Sequence, residues 1–325
     1  MGNVLSYTFA WIVFFSSTIL PTALLYGVTM PFVGALVRYR ANYVPKRGVQ
    51  LSGEDESNSP PAQPDSYLAM LKRVHRIEGW EGLYKGIMPS IISTFIVMVA
   101  ITILSVGYKV LPNGRVALPT QSGFVFWLLS FALNLIPVLL LIPFQILINH
   151  AITTPTKLSA FAPITALKTL LSHPELSQPV QLYFTPGLAV SEILQALVYP
   201  TLSILMQFVP GLYISHRLPI LLAALPIIAL ATILLTPLQV MSARLTLQRS
   251  GSDSSETTET EQPPAYGAEE VMEFRPTSEY APYTGLWDCG RQMVREEGVG
   301  ALLRAWWVTP GMIGFYAAVA MAQWP

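Results

Sequence analysis

The sequence predicts an all-α membrane protein in which six tilted transmembrane helices form three repeats, each with a short helix at the interface. Three observations carry this fold class. The first is charge. The 325-residue chain is 52% hydrophobic and 12% charged, about half the usual charged share. Met1–Val37, Gly86–Tyr108, Val116–Thr156, Leu218–Ala243 and Ala305–Pro325 hold no Asp, Glu, Lys or Arg, and between Glu175 and Arg217 the only charge is Glu192. Each run has room for the roughly 20 apolar residues that cross a bilayer. The second is a repeated motif: IEGWEGLYKGIMP at Ile77–Pro89 returns as EGVGALLRAWWVTP at Glu297–Pro310, each time before an apolar run. Internal repeats of this kind mark repeat architectures and many transporters. The third is a spacing. Pro31, Pro143 and Pro237 are each followed seven residues later by Arg38, His150 and Arg244.

The first span is expected from about Phe9 to Tyr39, interrupted by Pro21 and Pro31. Proline is tolerated in membrane helices where neighbours re-satisfy the freed carbonyls, and it kinks them. Residues 45–65 are polar and rich in Pro, Ser and Gly, so they read as a flexible loop. In Tyr67–Ile77 the apolar residues Leu68, Leu71, Val74 and Ile77 recur every third position among Lys72, Arg73 and Arg76. That pattern fits a short helix lying in the interface. The second span runs from about Ile87 to Leu111 and ends at Pro112-Asn113-Gly114. The third, about Gly123 to Ile152, contains Pro137 and Pro143, and Ala162–Leu171 is a second short amphipathic segment. The fourth extends from near Pro186 to Pro210-Gly211, and the fifth from about Leu218 to Leu247 with Pro226 and Pro237 inside. Residues 248–282 are acidic and rich in Ser, Thr, Glu and Pro, too poor in apolar surface to fold, and are expected to be disordered. Tyr283–Arg295 is the third short amphipathic segment, and the sixth span is expected at about Ala305–Trp324. The chain thus reads as one domain with repeats at 9–112, 121–212 and 217–325.

Basic residues agree with this topology. Only Lys109, Arg115 and Arg217 fall in loops after the even spans, and the other sixteen of the nineteen Lys and Arg lie on the side reached after the odd spans. Membrane proteins retain basic loops on the side from which they are loaded. Net charge is zero, which implies no general attraction to nucleic acid. The single Cys289 excludes an internal disulfide and a cysteine-based metal site. His75 and His173 have no second ligand at metal spacing. No nucleophile–base set, phosphate-cradling loop or HExxH motif is present, so neither an enzyme nor a cofactor is expected. MGNVLS fits the N-myristoylation pattern loosely and is read as an ordinary lead into a helix. Trp306, Trp307 and Trp324 are read as interfacial anchors.

The pattern resembles the mitochondrial carrier family across nearly the whole chain, in the manner of its degenerate, fungal-type or outer-membrane-type members. The best match is Glu78-Gly79 with Leu83-Tyr84-Lys85-Gly86; Glu297-Gly298 and Leu303-Arg304 follow it, with Ala305 for the glycine, and the middle repeat keeps Leu182-Tyr183 and Pro186. The resemblance implies six spans with pseudo-threefold symmetry, odd helices kinked at Pro31, Pro143 and Pro237, and glycines that let short helix and span pack closely. It also implies a gate of acid and base at positions +2 and +5 after each proline. Here those positions are Val33 and Leu36, Gln145 and Ile148, Gln239 and Ser242, with no acid or base among them.

Candidate gate or cavity residues are therefore Gln145, Gln239, Glu192, Arg38, His150 and Arg244. Glu192 is the one acid well inside an expected span, and an intramembrane carboxyl points to a cation, proton or headgroup site unless it sits at the interface. Arg38, His150 and Arg244 are expected to stabilise helix C-termini and mark topology, or to hold anionic lipid beside the short helices. Spans two and six carry no internal charge, which argues against nucleotide or tricarboxylate transport, since those solutes need basic residues to offset desolvation. Two functions stay open. One is transport of a small neutral or weakly charged solute across a mitochondrial membrane, inner or outer. The other is a non-transporting outer-membrane adaptor or scaffold in membrane dynamics or protein insertion. The expected partners are the bilayer and an unidentified solute or protein, with the chain a monomer.

Overall fold

The computed structural model describes residues 2–45, 66–105, 109–110, 116–117, 123–157, 163–171, 173–208, 217–248, 266, 271–276 and 281–314. The expected loop at 45–65 and the end of the sixth span lie almost wholly outside them. The described chain is mostly helical. Helix α1 spans Gly2–Ala41, α2 Tyr67–Leu83, α3 Ile87–Ser105, α4 Gly123–Thr153, α5 Pro163–Leu170 and α6 His173–Ser177. Then come α7 at Leu188–Phe208, α8 at Arg217–Thr246, α9 at Leu286–Glu296 and α10 at Val299–Leu302. Helix resumes at residue 308 and is described to residue 314. A two-residue antiparallel ladder pairs Lys109–Val110 with Val116–Ala117 after α3.

Among the described residues, three helices are long and apolar enough to cross a membrane: Leu20–Ala41, Leu135–Thr153 and Ala224–Thr246. A fourth is added if α2 and Ile87–Ala100, bent by 53° at their junction, count as one span. The three are the odd spans of the sequence prediction. Each carries two prolines, and none breaks. Their surfaces are apolar all round, as expected where one side meets lipid and the other a neighbour. Leu24, Leu25 and Val28 of α1 and Leu230, Ile233 and Leu234 of α8 are exposed in the protein alone, on faces that a bilayer would cover.

Neighbours in the chain are neighbours in space. Helix α1 packs on α3, α3 on α4, α4 on α7 and α7 on α8, and α8 returns to α1. The cores sit at the basic end. One gathers Ile142, Ile146, Leu182, Leu188, Val240, Leu245, Cys289 and Met293. A second joins Ala41, Met70, Val74 and Leu83 to Val271 and Met272.

These last two residues lie in the stretch expected to be disordered, and at Tyr266 and 271–276 the structure differs from that expectation. The reason is local. Val271-Met272 is an apolar pair inside an acidic segment, and it fills the space between α1 and α2. Glu273 then pairs with the end of α1: its N–H donates to Asn42 Oδ1 at 2.9 Å, and its carbonyl accepts from Tyr43 N at 3.0 Å. Arg275 grips both carboxylate oxygens of Glu296 at 2.8 and 3.0 Å and lies over the Tyr283 ring.

Candidate functional site

The repeated motif builds the same turn twice. Helix α2 starts at Ser66, whose side chain accepts from Ala69 N at 3.3 Å, satisfying a donor that a helix start leaves open. It breaks at Gly79, where φ is 68°. The chain makes one more helical turn, presents Lys85 and turns again at Gly86 with φ 86° before α3. In the third repeat α9 ends before Gly298 with φ 101°, α10 makes the turn, Arg304 follows, and Ala305 takes φ 53° before the last helix. Left-handed backbone favours glycine, so Ala305 is a strained substitute at the same place.

Both turns aim a glutamate at the odd helix of their own repeat. Arg38 Nη2 ion-pairs with Glu78 Oε2, and Lys85 Nζ lies 2.9 Å from Glu78 Oε1. Arg244 Nη1 lies 2.6 Å from Glu297 Oε1, and Arg304 Nη2 is 2.8 Å from Glu297 Oε2. Each acid thus holds two bases. Both glutamates, Arg38, Lys85 and Arg244 are buried, and only Arg304 reaches solvent, its side chain 12% exposed. The surplus positive charge goes to helix ends. Lys85 Nζ donates to the Thr154 carbonyl at 2.5 Å, just past α4. Arg244 Nη2 donates to the Asn42 carbonyl at 2.7 Å, just past α1, and Arg304 Nη1 donates to the same oxygen. Carbonyls at helix C-termini lack intrahelical donors and carry partial negative charge. Thr154 and Asn42 both stand eleven residues after the repeat's proline. Each triad therefore ties its own repeat to the end of another repeat's odd helix.

The middle repeat has no such triad. In register with Gly86 and Ala305 stands Gly187, φ 79°. Counting back, Pro186 replaces the base and Pro179 the acid, and neither can donate or accept through its side chain. His150 takes the arginine position and its Nδ1 lies 3.0 Å from the Leu170 carbonyl. The seam is closed by backbone instead. A Cβ on Gly187 would come within 2.7 Å of the Gly285 carbonyl carbon. Gln248, eleven residues after Pro237, exchanges two hydrogen bonds of 2.9 and 3.0 Å with the Tyr283 main chain.

Arg38 and Arg244 stand in the last turns of their helices, where the expectation put them. Their heads are buried against glutamates from the short-helix turns, because a buried guanidinium needs a carboxylate partner. The spacing of seven from proline to base and of seven from acid to base was visible in both repeats. Nothing in it said that the two spacings converge.

A second polar group lies at the expected gate. Gln145 on α4 and Ser242 on α8, at +2 and +5 after their prolines, are hydrogen-bonded at 3.1 Å. Both also donate to Glu192 Oε1 of α7, at 3.2 and 2.6 Å, and Gln195 donates to it at 3.4 Å. Gln239 Oε1 accepts from Thr309 Oγ1 at 3.1 Å, away from this group. Sequence reasoning singled out Gln145 and Glu192 but missed Ser242, Gln195 and Thr309 as members of polar contacts. A signal for one set was present: Ser90, Ser191 and Thr309 each follow their left-handed residue by four, and all three are buried. No group of three or more His, Cys, Asp or Glu placed to hold a metal exists among the described residues.

Comparison with known proteins bears on the second of these turns. Residues 219–323 match the family model described as mitochondrial carrier protein. That stretch, about a third of the chain, is similar to the mitochondrial carrier family. The matched segment is the third repeat, running from α8 through the Glu297 triad into the last helix. No curated protein matches the chain at significance. Mitochondrial carriers are transporters, and the long apolar helices here fit a multi-pass membrane protein of that type.

Proposed function

We propose that the chain is one carrier domain, with repeats at 9–112, 121–212 and 217–325, that moves a small neutral or weakly charged solute through the centre of a six-helix pseudo-threefold bundle. The family match supports transport in general. The order of helix packing, from α1 through α3, α4, α7 and α8 back to α1, supports a closed ring. One observation carries the solute class. The positions that hold ion pairs in the family are here neutral, and two of them close as a hydrogen-bonded Gln145–Ser242 pair on one carboxyl. A gate of amide, hydroxyl and apolar groups does not offset the desolvation of a multiply charged solute. Val33 and Leu36 complete it on α1.

Preserved buried triads and a reduced gate fit a bundle still built to close and open. No observation favours the adaptor reading. Lys72 and Arg76 on α2 are exposed on the basic side, where anionic headgroups gather, and they are the residues we assign to lipid contact. The carrier is read as a monomer in a mitochondrial membrane.

The test is uptake by purified protein in liposomes over a panel of metabolites. The expected result is uptake of at least one neutral or singly charged solute, with no exchange of nucleotides or tricarboxylates. Uptake of nothing across the panel overturns the transporter reading, and nucleotide exchange overturns the solute class.

A further inference from the structure

Glu192 breaks the symmetry of the repeats. The residues in register with it, five after the left-handed turn residue, are Ile91 and Pro310. The residues one place earlier, Ser90, Ser191 and Thr309, are buried hydroxyls in every repeat. What the scaffold requires recurs, as the hydroxyls and two of the triads do. An acid present once, at gate depth, answers to something other than the scaffold.

Its surroundings are neutral. Ser242, Gln145 and Gln195 all donate to Oε1, and Oε2 takes no hydrogen bond from a described residue. Among the described residues no ion pair includes Glu192, and no charged or titratable side chain faces it from α4, α8, α9 or its own helix. These elements present Gln145, Ser242, Ser191, Gln195 and the Leu238 carbonyl, which accepts from Ser191. Neutral donors orient a carboxylate but do not cancel its charge, and a bare charge inside a bilayer is expensive.

The geometry points to Glu192 as the gate's charge-binding residue: an acid moved from the odd-helix gate positions onto α7, which takes up a single positive charge, either a proton or the ammonium group of a solute. In the closed state Ser242 and Gln145 hold Oε1 and leave Oε2 to the incoming charge. Separation of α4 from α8 removes these donors, so the bound charge has different partners in the two states. That difference is what lets a ligand shift the equilibrium between them. When the charge is a proton, it comes from water and ends on the carboxyl, and Ser242 keeps its own. This inference rests on the transporter reading for what the charge is coupled to, but its test does not need transport.

The test is labelling of the membrane-embedded protein by dicyclohexylcarbodiimide, which adds to a protonated carboxyl, with the modified peptide mapped by mass. The wild type is expected to be labelled at Glu192, and the Glu192→Gln variant to lose that peptide. Labelling that falls as pH rises, with no effect of tetramethylammonium, assigns the proton. Protection by tetramethylammonium, which carries the charge without a nucleophilic nitrogen, assigns a solute ammonium group. No labelling at Glu192, or labelling that neither pH nor tetramethylammonium changes, overturns the proposal. Because the wild type carries the readout, misfolding of the variant leaves the result intact. Failure here with solute uptake intact removes Glu192 alone, whereas labelling without any uptake removes the transporter reading alone.

Discussion

Glu297 touches two arginines and a backbone amide: besides Arg244 and Arg304, Val44 N donates to Oε2 at 3.2 Å. Removing one member of a buried charge set leaves the others uncompensated, at a cost of about 3–5 kcal/mol. Glu297→Gln is therefore expected to lose most of the margin of a marginally stable fold, read as a large fall in unfolding temperature in detergent. An unchanged temperature would show that the triad is ornamental. Cys289, fully buried beside Met293, makes an opposite prediction. Burial pushes its thiol up to about 12, so at mildly alkaline pH the reactive thiolate is absent. The native protein is expected to resist maleimide until it is unfolded. The sign for stability follows: folding keeps the thiol protonated, so its contribution is whole below the ordinary value of 9.0 and is lost as pH rises toward about 12. At this scale the sequence was legible in identity and silent in partnership. It showed Arg38, Glu78 and Lys85 as motif members, but Arg38 and Glu78 are forty residues apart and meet only because Gly79 and Gly86 turn the chain back.

At the scale of elements, the left-handed turn residues decide where one helix ends and the next span begins. Ala305 holds φ 53°, a conformation that costs a non-glycine residue about 1–2 kcal/mol. Ala305→Gly relieves that strain, and the larger entropy of an unfolded glycine takes back part of it. A net gain of roughly 0.5–1 kcal/mol is expected, read as a higher unfolding temperature. Gly187→Ala does the reverse and also drives a methyl into the Gly285–Leu286 backbone. Its expected cost is on the order of 3 kcal/mol, combining strain and overpacking, and thermal unfolding of the two variants side by side checks both signs. The segment at 271–276 is the element that composition concealed. Average polarity across 248–282 hid one apolar pair, and the short connection from Val271 to Pro276 reaches the core through it. Met272→Ala is expected to cost about 2–4 kcal/mol, as for other buried methionines, and to raise protease sensitivity in this connection. Equal stability and sensitivity would mean that the strap is only laid on the surface.

For the whole molecule, the odd spans were legible because their length and lack of charge admit few other structures, and α1, α4 and α8 match them closely. The candidate gate was half legible. The absence of charge at the six family positions could be read directly, and Glu192 could be read as an oddity. Their meeting could not, since it depends on how α4, α7 and α8 are set against one another. The molecule holds two separate polar systems. The triads of Arg38 and Arg244 bind repeat to repeat and are structural. The Gln145–Ser242–Glu192 group joins three helices through neutral hydrogen bonds, and on the proposed transport reading it is where movement acts. Solute uptake into liposomes by wild type and Glu192→Gln, corrected for folded protein, tests this most directly. The account predicts that the wild type takes up a neutral or singly charged solute and that the variant, equally folded, takes it up at least about tenfold more slowly, a difference of ~1.4 kcal/mol in the barrier. Equal rates in the two proteins would contradict it.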